Sequence, residues 1–214
     1  MKKFSHLLKT RKARNGTAFA VLGYPRSGTT MMSEIVGMVT DYYFDRDNIF
    51  PSSSKVVLHT HWNPVLYAPE NSLYIIRNPV DVHLSLVEYA NAQDWSAPGE
   101  SALKSRKFSK MSWLEHCSRA REAGHHVVDY DRIVRGDPDE TERLAAHLSL
   151  PADWITQAMA LLGARHAYKP HASDVKFRHE KQKRNSDKTA ELRRYLETAI
   201  ADEIALYRAV LSKE

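Results

Sequence analysis

The sequence predicts an α/β fold of three layers, with a mostly parallel central sheet and helices on both of its faces. Short apolar runs of four to six residues, typical of buried strands, alternate with longer segments whose apolar residues recur at helical spacing. Glycine or proline stands at several of the junctions between such segments. Strands that alternate with helices form a parallel sheet that is covered on both faces.

The predicted elements follow in chain order. Strands are expected at 17–22, 55–59, 73–76 and 126–130. Helices are expected at 28–39, from Pro79 to about Ala90, and at 105–123, 138–148, 151–163 and 187–212. Residues 94–104 are predicted to be a loop, and residues 166–186 show no periodicity and are rich in basic groups. In such folds ligands bind beyond the carboxyl ends of the strands, so functional residues are expected directly after a strand.

Composition limits the class of protein. Of 214 residues, 43% are hydrophobic and 27% are charged, as in ordinary globular proteins. We expect one domain over residues 17–214, preceded by a basic arm at residues 1–16. No apolar run approaches the roughly 20 residues of a membrane span, and the apolar stretch near the N-terminus is too short for a signal sequence. We therefore expect a cytoplasmic protein without membrane insertion.

The net charge leaves several classes of partner open, whereas the cysteine count excludes certain structural sites. Lys and Arg number 31 and Asp and Glu number 26, which gives a net charge of +5. This excess suits a nucleic acid, a phosphorylated cofactor or an anionic acceptor, and it fits equally a basic protein that has no polyanionic partner. The single cysteine, Cys117, excludes an intramolecular disulfide and a cysteine-rich metal site.

A glycine-bounded loop follows the first predicted strand. Residues 23–30 read GYPRSGTT, which has the G-x-x-x-x-G spacing of a phosphate-binding loop followed by two hydroxyl residues. Glycines let backbone N–H groups converge on one anion, and the helix that starts near Gly28 directs its positive end there. Thr29 and Thr30 add hydroxyl donors, and Arg26 adds a planar guanidinium suited to phosphate or sulfate oxygens. The alternative is a glycine turn that only joins strand to helix.

Thr29 also bears on the kind of anion. It occupies the position at which nucleotide hydrolases carry the lysine that binds the β- and γ-phosphates. The loop therefore predicts a site for an anionic group shorter than a triphosphate, held without a metal. A kinase that uses ATP and Mg²⁺ on the same loop is the alternative.

A second candidate anion site follows the strand predicted at 73–76. Arg77 lies at the end of that strand, and Ser85 lies eight residues later, two turns into the next helix. An arginine and a serine placed in this way can hold one phosphate together. Asp81, between them, is interpreted as a residue that fixes the helix start or the loop. A surface salt bridge of Arg77, with no role for Ser85, is the alternative.

Two histidines, His59 and His61, stand at the exit of the strand predicted at 55–59. An imidazole can take a proton from an attacking hydroxyl near neutral pH. Structural or surface roles are the alternatives for both residues. If the strand continued, both side chains would share one face, as in a zinc site, but no third ligand is evident nearby in the sequence.

These motifs resemble those of sulfotransferases that use 3′-phosphoadenosine 5′-phosphosulfate (PAPS). The string PRSGTT at 25–30 resembles the family's 5′-phosphosulfate loop, P-[KR]-S-G-T-T, and RNPVDVHLS at 77–85 resembles its 3′-phosphate signature, R-[ND]-P-x-D-x-x-x-S. The segment KVVLHTHWNP at 55–64 resembles the family's strand that ends in K-T-H-x-P. The resemblance spans about residues 19–186, and its strong motifs are the first two.

The resemblance implies a role for each matched residue. It implies that Arg26 contacts the sulfate and the bridging oxygen and that His61 is the catalytic base. His59 falls on the position of a lysine that helps to neutralise the leaving group. The implied ligands of the 5′-phosphate are Ser27, Gly28, Thr29 and Thr30, and those of the 3′-phosphate are Arg77 and Ser85.

Two weaker matches lie further along the chain. VVDYD at 127–131 resembles a strand that ends in a Tyr-Glu-Asp-like string, which implies that Tyr130 lies near adenine. FRHEKQKRNS at 177–186 resembles a late loop, R-K-G-x-x-G-[DE]-W, that closes over the 3′-phosphate. Arg178 is the best positional match there, with Lys183 and Arg184 as rivals. A tyrosine that covers the core and a solvated charged loop are the alternatives.

The resemblance implies in-line transfer of a sulfuryl group from PAPS to a hydroxyl or amine of a small-molecule or carbohydrate acceptor. The product nucleotide would be adenosine 3′,5′-bisphosphate, and no metal would be needed. The alternatives are the P-loop kinase of small molecules or nucleosides and a protein that binds nucleic acid through the basic arm and residues 166–186. The sequence predicts neither the acceptor's identity nor the oligomeric state.

Overall fold

A computed structural model of the protein describes residues 18–44, 55–90, 111–168 and 189–212. The predicted basic arm at 1–16, the predicted loop at 94–104 and Arg178, with its rivals Lys183 and Arg184, lie outside these residues.

Five strands form one sheet in which every pairing is parallel, in the order β2-β3-β1-β4-β5. The strands are β1 (Ala18–Leu22), β2 (Tyr43–Phe44), β3 (Val56–Thr60), β4 (Ser72–Ile76) and β5 (His126–Asp129). Every residue of β1 and β4 is buried, as expected for strands covered on both faces. The predicted fold class is confirmed, and the two-residue edge strand β2 adds to the predicted set.

Eight helices occur in the described parts of the chain. They are α1 (Thr29–Val39), α2 (Pro79–Ala90), α3 (Trp113–Glu122), α4 (Tyr130–Val134), α5 (Pro138–Leu148), α6 (Ala152–Tyr168), α7 (residues 189–199) and α8 (Ala201–Leu211). Two short 3₁₀ turns, Pro64–Leu66 and Pro69–Asn71, connect β3 to β4. None of the described helices has the length and apolar content to cross a bilayer.

Several boundaries differ from the prediction. Helix α3 begins at Trp113 rather than within 105–112, because Ser112 Oγ accepts the backbone N–H of Glu115 and caps the helix. Helix α6 continues to Tyr168, past the expected end at 163 and into the segment predicted to lack periodicity.

Tyr130 was expected in a strand, but it begins α4, because the carboxylate of Asp129 accepts the backbone N–H groups of Asp131 and Arg132 and so caps a helix there. The single helix expected over 187–212 is divided, because Ile200 has the non-helical torsion angles φ −120° and ψ 35°. Its buried side chain packs with Leu192 and Leu196 of α7 on residues of α2.

The sheet separates two apolar layers. Helices α1, α5 and α6 pack on the face that contains Val21, Val57 and Ile75. Helices α2, α3 and α8 pack on the opposite face, around Leu22 and Tyr74. The helices that follow the adjacent strands β1 and β4 therefore lie on opposite faces. In folds with this arrangement, ligands bind in the crevice at the carboxyl ends of the two strands.

A buried carboxylate fixes the end of β5. Glu140, on α5, is fully buried, and its Oε1 accepts the backbone N–H of Asp129 at 2.7 Å. Its Oε2 lies 3.1 Å from Arg143 Nη1 and 3.5 Å from Arg132 Nη1. A buried charge is tolerated when it is paired and hydrogen-bonded in this way. Glu140 thus fixes the residue that precedes Tyr130.

We predict that Glu140→Ala lowers the free energy of unfolding by about 3 kcal/mol, because two arginines and a backbone N–H lose their shared acceptor. Urea unfolding measures this change. Glu142→Ala, at an exposed site on the same helix, is the control and should change stability by less than about 0.5 kcal/mol. Equal effects of the two substitutions would contradict this role of Glu140.

Candidate active site

The loop between β1 and α1 adopts a tight turn. The backbone N–H of Ser27 donates to the carbonyl of Tyr24 at 3.1 Å. Arg26 and Gly28 have positive φ angles of 72° and 98°. A positive φ is uncommon for a residue such as arginine. Alternating conformations of this kind turn successive N–H groups toward one point, as in phosphate-binding loops.

Polar groups at the start of α1 suit an anion. Gly28, the residue before the helix, supplies no side-chain cap. The N–H groups in the first turn of a helix have no acceptor within that helix. Ser27 Oγ is buried and has no hydrogen-bond partner among the described residues, although a buried hydroxyl without a partner is costly. An anion of the size of phosphate or sulfate at this helix start would accept from these donors.

Tyr130 packs directly behind the loop. A Cβ atom added to Gly28 would clash with the Tyr130 ring. The guanidinium carbon of Arg77 lies 4.6 Å from the centroid of the same ring, a cation–π distance. Tyr130 therefore links the loop after β1 to the residue after β4. This predicted site residue thus lies directly beside the phosphate-binding loop.

The two predicted anion motifs are in direct contact. Arg26 Nε donates to Ser85 Oγ at 3.0 Å across 59 residues of sequence. Arg77 Nη1 donates to the carbonyl oxygen of Arg26 at 3.2 Å. Arg77 Nε is buried and, within the described ranges, has no hydrogen-bond partner. Two sets of candidate anion donors thus occupy one crevice.

Helix α2 is anchored at its start. Asn78 Oδ1 accepts the backbone N–H of Val80 at 3.0 Å and so caps the helix. Asp81 Oδ1 accepts from Arg193 of α7 at 2.6 Å. This ion pair agrees with the interpretation of Asp81 as a fixing residue. Deeper in α2, His83 contacts Glu203 of α8 at 2.8 Å, so both C-terminal helices hold the helix that carries Ser85.

His61 is oriented by the loop itself. Its Nδ1 lies 2.8 Å from the carbonyl oxygen of Gly23. A carbonyl only accepts, so Nδ1 carries the proton of the neutral ring and Nε2 carries the lone pair. Burial lowers the pKa of His61, and the charge of Arg26 lowers it further, while the Gly23 hydrogen bond opposes both. His61 is therefore a neutral imidazole near neutral pH, with Nε2 free to accept a proton, as a general base requires.

His59 lies next to His61 but in a different setting. It is the penultimate residue of β3, which ends at Thr60. Its ring centroid is 6.5 Å from that of His61 and 6.1 Å from that of Phe44. Among the described residues, no three His, Cys, Asp or Glu side chains are grouped so that they could hold a metal ion. The third ligand that a zinc site on these histidines would need is therefore not found in this part of the chain.

Other titratable groups surround Arg77. Burial raises the pKa of Asp131, the nearby charge of Asp129 raises it further, and Arg77 opposes both effects. Tyr207 of α8 donates to Asp129 Oδ2 at 3.3 Å, and burial raises the pKa of this tyrosine. The carboxyl end of β5 thus places acidic groups beside the arginine, so that the local charge is mixed.

The structure also shows site residues that sequence reasoning missed. His116 of α3 is completely buried and contacts the backbone at residues 61 and 62. Tyr74 of β4 contacts His116. The only sequence signal was a histidine among apolar residues of a predicted helix, WLEHC at 113–117, and that pattern does not indicate a partner.

Comparison with known proteins finds no similar sequence but does find a similar structure. No family model matches the sequence, and no curated protein matches it significantly. Among solved structures, the chain is similar to retinol dehydratase in complex with androsterone and the inactive cofactor PAP. The TM-score is 0.48 at 16% sequence identity, and the match covers 72% of this chain and 67% of that chain.

We predict that Gly28→Ala destabilises the protein by about 1–3 kcal/mol, because a side chain at positive φ is strained and the added Cβ displaces the Tyr130 ring. Thermal and urea unfolding measure the change. Gly163→Ala is the matched control, since a Cβ there meets open space within α6 and alanine favours a helix. A neutral Gly28→Ala variant would refute the packing of Tyr130 on the loop.

Proposed function

We propose that the protein transfers a sulfuryl group from PAPS to a hydroxyl or amine of a small-molecule or carbohydrate acceptor. The observation that carries this proposal is the contact between the two anion motifs, Arg26 Nε to Ser85 Oγ at 3.0 Å and Arg77 Nη1 to the Arg26 carbonyl at 3.2 Å. A ligand in this crevice meets two sets of donors. This suits an adenosine nucleotide with separate anionic groups at its 5′ and 3′ positions.

The residues present fit such a ligand better than a triphosphate. Thr29 stands where a nucleotide hydrolase needs lysine for the β- and γ-phosphates. Ser27 Oγ at the loop and Arg77 Nε at the second motif are buried and, among the described residues, without partners. Each would gain an acceptor from one anionic group. We propose that Ser27, Gly28, Thr29 and Thr30 bind the 5′-phosphate and that Arg77 and Ser85 bind the 3′-phosphate.

His61 would act as the base. PAPS supplies the sulfuryl group, which leaves the phosphate's bridging oxygen as the acceptor oxygen or nitrogen bonds to sulfur. We propose that the acceptor's proton goes to Nε2 of His61, whose other nitrogen is held by Gly23. The negative charge goes to the bridging oxygen, where Arg26 and the loop N–H groups would stabilise it.

The roles of the remaining candidates follow from their positions in the motifs. We propose that His59 helps to neutralise the leaving group, that Tyr130 lies near adenine and that Arg178 closes over the 3′-phosphate. We also propose that no divalent metal is required, because Arg26 and the loop N–H groups supply positive charge where it develops. Full activity in EDTA is the expected result.

We propose, further, that residues 17–214 form one domain and that residues 1–16 are a basic arm. The cytoplasm is the proposed location. Cys117, the only cysteine, is buried and free, which agrees with a reducing compartment.

Calorimetric titration tests the donor. We expect adenosine 3′,5′-bisphosphate to bind without metal and more tightly than ATP with Mg²⁺. The reverse order, with a requirement for Mg²⁺, would favour the kinase. Tight binding to duplex or single-stranded nucleic acid with steep salt dependence, in place of the nucleotide, would favour the nucleic-acid-binding protein. Incubation with labelled PAPS and a panel of phenols, steroids, carbohydrates and tyrosine peptides then tests transfer.

We predict that Arg26→Ala lowers kcat by about 10²–10³-fold, because one donor to the developing charge is lost. His61→Ala should lower it by about 10²–10⁴-fold through loss of the base. Labelled-donor assays measure both effects. Arg121→Ala, at an exposed site in the last turn of α3, is the control and should keep wild-type activity.

The pH profile gives a further check on His61. Because burial lowers its pKa, its unprotonated form persists below pH 6.5, and the acid limb of kcat/KM should lie below that value. Near wild-type activity of both the Arg26→Ala and the His61→Ala variants would refute the assignment.

A further inference from the structure

His116 makes three hydrogen-bond contacts from a fully buried position. Its Nε2 lies 3.2 Å from the carbonyl oxygen of His61 and 3.1 Å from that of Trp62. Its Nδ1 lies 2.9 Å from Tyr74 Oη. The ring is completely shielded from solvent on α3. One side chain therefore joins the strand β4 to the segment that carries the candidate base.

The protonation state of His116 follows from these partners. Two carbonyl oxygens can only accept, so Nε2 carries the proton and Nδ1 accepts from the Tyr74 hydroxyl. Burial lowers the pKa of His116 to about 4, which keeps the ring neutral. Burial raises the pKa of Cys117, so that its thiol remains protonated 3.2 Å from Tyr74 Oη. His116, Tyr74 and Cys117 therefore each have a defined donor or acceptor role in these contacts.

The location of the two carbonyls explains what the contact does. Strand β3 ends at Thr60, so the carbonyls of His61 and Trp62 lie beyond the strand's own pairing. These carbonyls therefore need a donor from outside the sheet, and His116 Nε2 lies within hydrogen-bonding distance of both. The His116 ring also lies against Tyr24, with ring centroids 6.0 Å apart, so it touches the phosphate-binding loop as well.

We propose that His116 is a positioning residue for His61. By holding the carbonyls at 61 and 62, its Nε2–H keeps His61 Nδ1 on the Gly23 carbonyl and leaves His61 Nε2 directed at the acceptor. This inference rests on the proposed function, in which His61 is the base. Contacts thus connect Tyr74 on the sheet to His116, and His116 to the backbone of His61. In this proposal they fix both the orientation and the tautomer of the base.

The titratable and charged groups around His61 and His116 come from several elements. Arg26 on the loop and His59 on β3 face His61. Arg119 on α3 acts on His116 electrostatically. The variants must leave these three neighbours in place. A change in the tautomer of His61 then reports on the contacts of His116 alone.

Two substitutions of His116 separate its contacts. In His116→Gln the longer amide places an N–H near the former Nε2, so the donor to the two carbonyls is kept. In His116→Asn the shorter amide reaches only the former Nδ1 position, so the contact with Tyr74 is kept and the donor to the carbonyls is lost. Tyr74→Phe is a milder variant, because it removes only the hydroxyl that orients the His116 ring.

The direct readout is the tautomer of His61, measured by nitrogen NMR of the ¹⁵N-histidine-labelled full chain, with the His61→Gln variant to assign the signal. We expect the Nδ1–H tautomer in the wild type and in His116→Gln. We expect a mixture with the Nε2–H form in His116→Asn and a smaller change in Tyr74→Phe. His147→Asn is the control, since His147 bonds to the Ser72 carbonyl at the opposite end of β4, and it should leave the His61 signal unchanged.

Kinetics supply the second readout. We expect His116→Asn to lower kcat about 10–100-fold while KM for PAPS stays within about twofold, and His116→Gln to recover most of kcat. A wild-type His61 tautomer in both His116→Asn and Tyr74→Phe, or equal losses of kcat in the Asn and Gln variants, would overturn the inference. Failure of the proposed function is distinguishable, because the wild type would then form no sulfated product whatever the tautomer of His61.

Discussion

The contact between the loop after β1 and the residues after β4 is the interaction on which the candidate site depends. Arg77 holds the loop by its Arg26 carbonyl, and the Arg26 side chain reaches Ser85 on α2. Tyr130 fills the space behind Gly28 and beneath Arg77. Because β1, β4 and β5 are neighbouring parallel strands, the three segments that follow them converge at one edge of the sheet. Separately, each would be an ordinary strand-to-helix connection.

Buried polar groups support this edge from both faces of the sheet. On one face, Glu140 fixes the backbone of Asp129 and thereby the start of the helix that carries Tyr130. On the other face, His116 contacts the carbonyls at 61 and 62. Both side chains have no exposed surface, so their hydrogen bonds compete little with water. Rigid support of this kind is what an electrostatic site needs, since its donors must be in place before charge develops.

Local sequence patterns predicted the strand-loop-helix units and the motifs within them, because glycine spacing, apolar periodicity and capping act over a few residues. Five predicted site residues, Arg26, Ser85, Arg77, Gly28 and Tyr130, do meet at one place. The sequence did not reveal Glu140 or His116, because their partners lie 11 and 55 residues away in the chain and are backbone groups without a residue-type signal. The break at Ile200 was missed for a similar reason, since an apolar side chain there continues the helical pattern.

Whether both anion motifs bind one nucleotide is tested most sharply by the response of backbone amides to adenosine 3′,5′-bisphosphate, measured by NMR on the full chain. We expect large shift changes at residues 27–31, where the loop meets α1, together with a change at the Arg26 Nε–H as its contact with Ser85 is replaced. Binding of the nucleotide that leaves these amides unchanged and perturbs another part of the protein would contradict this expectation.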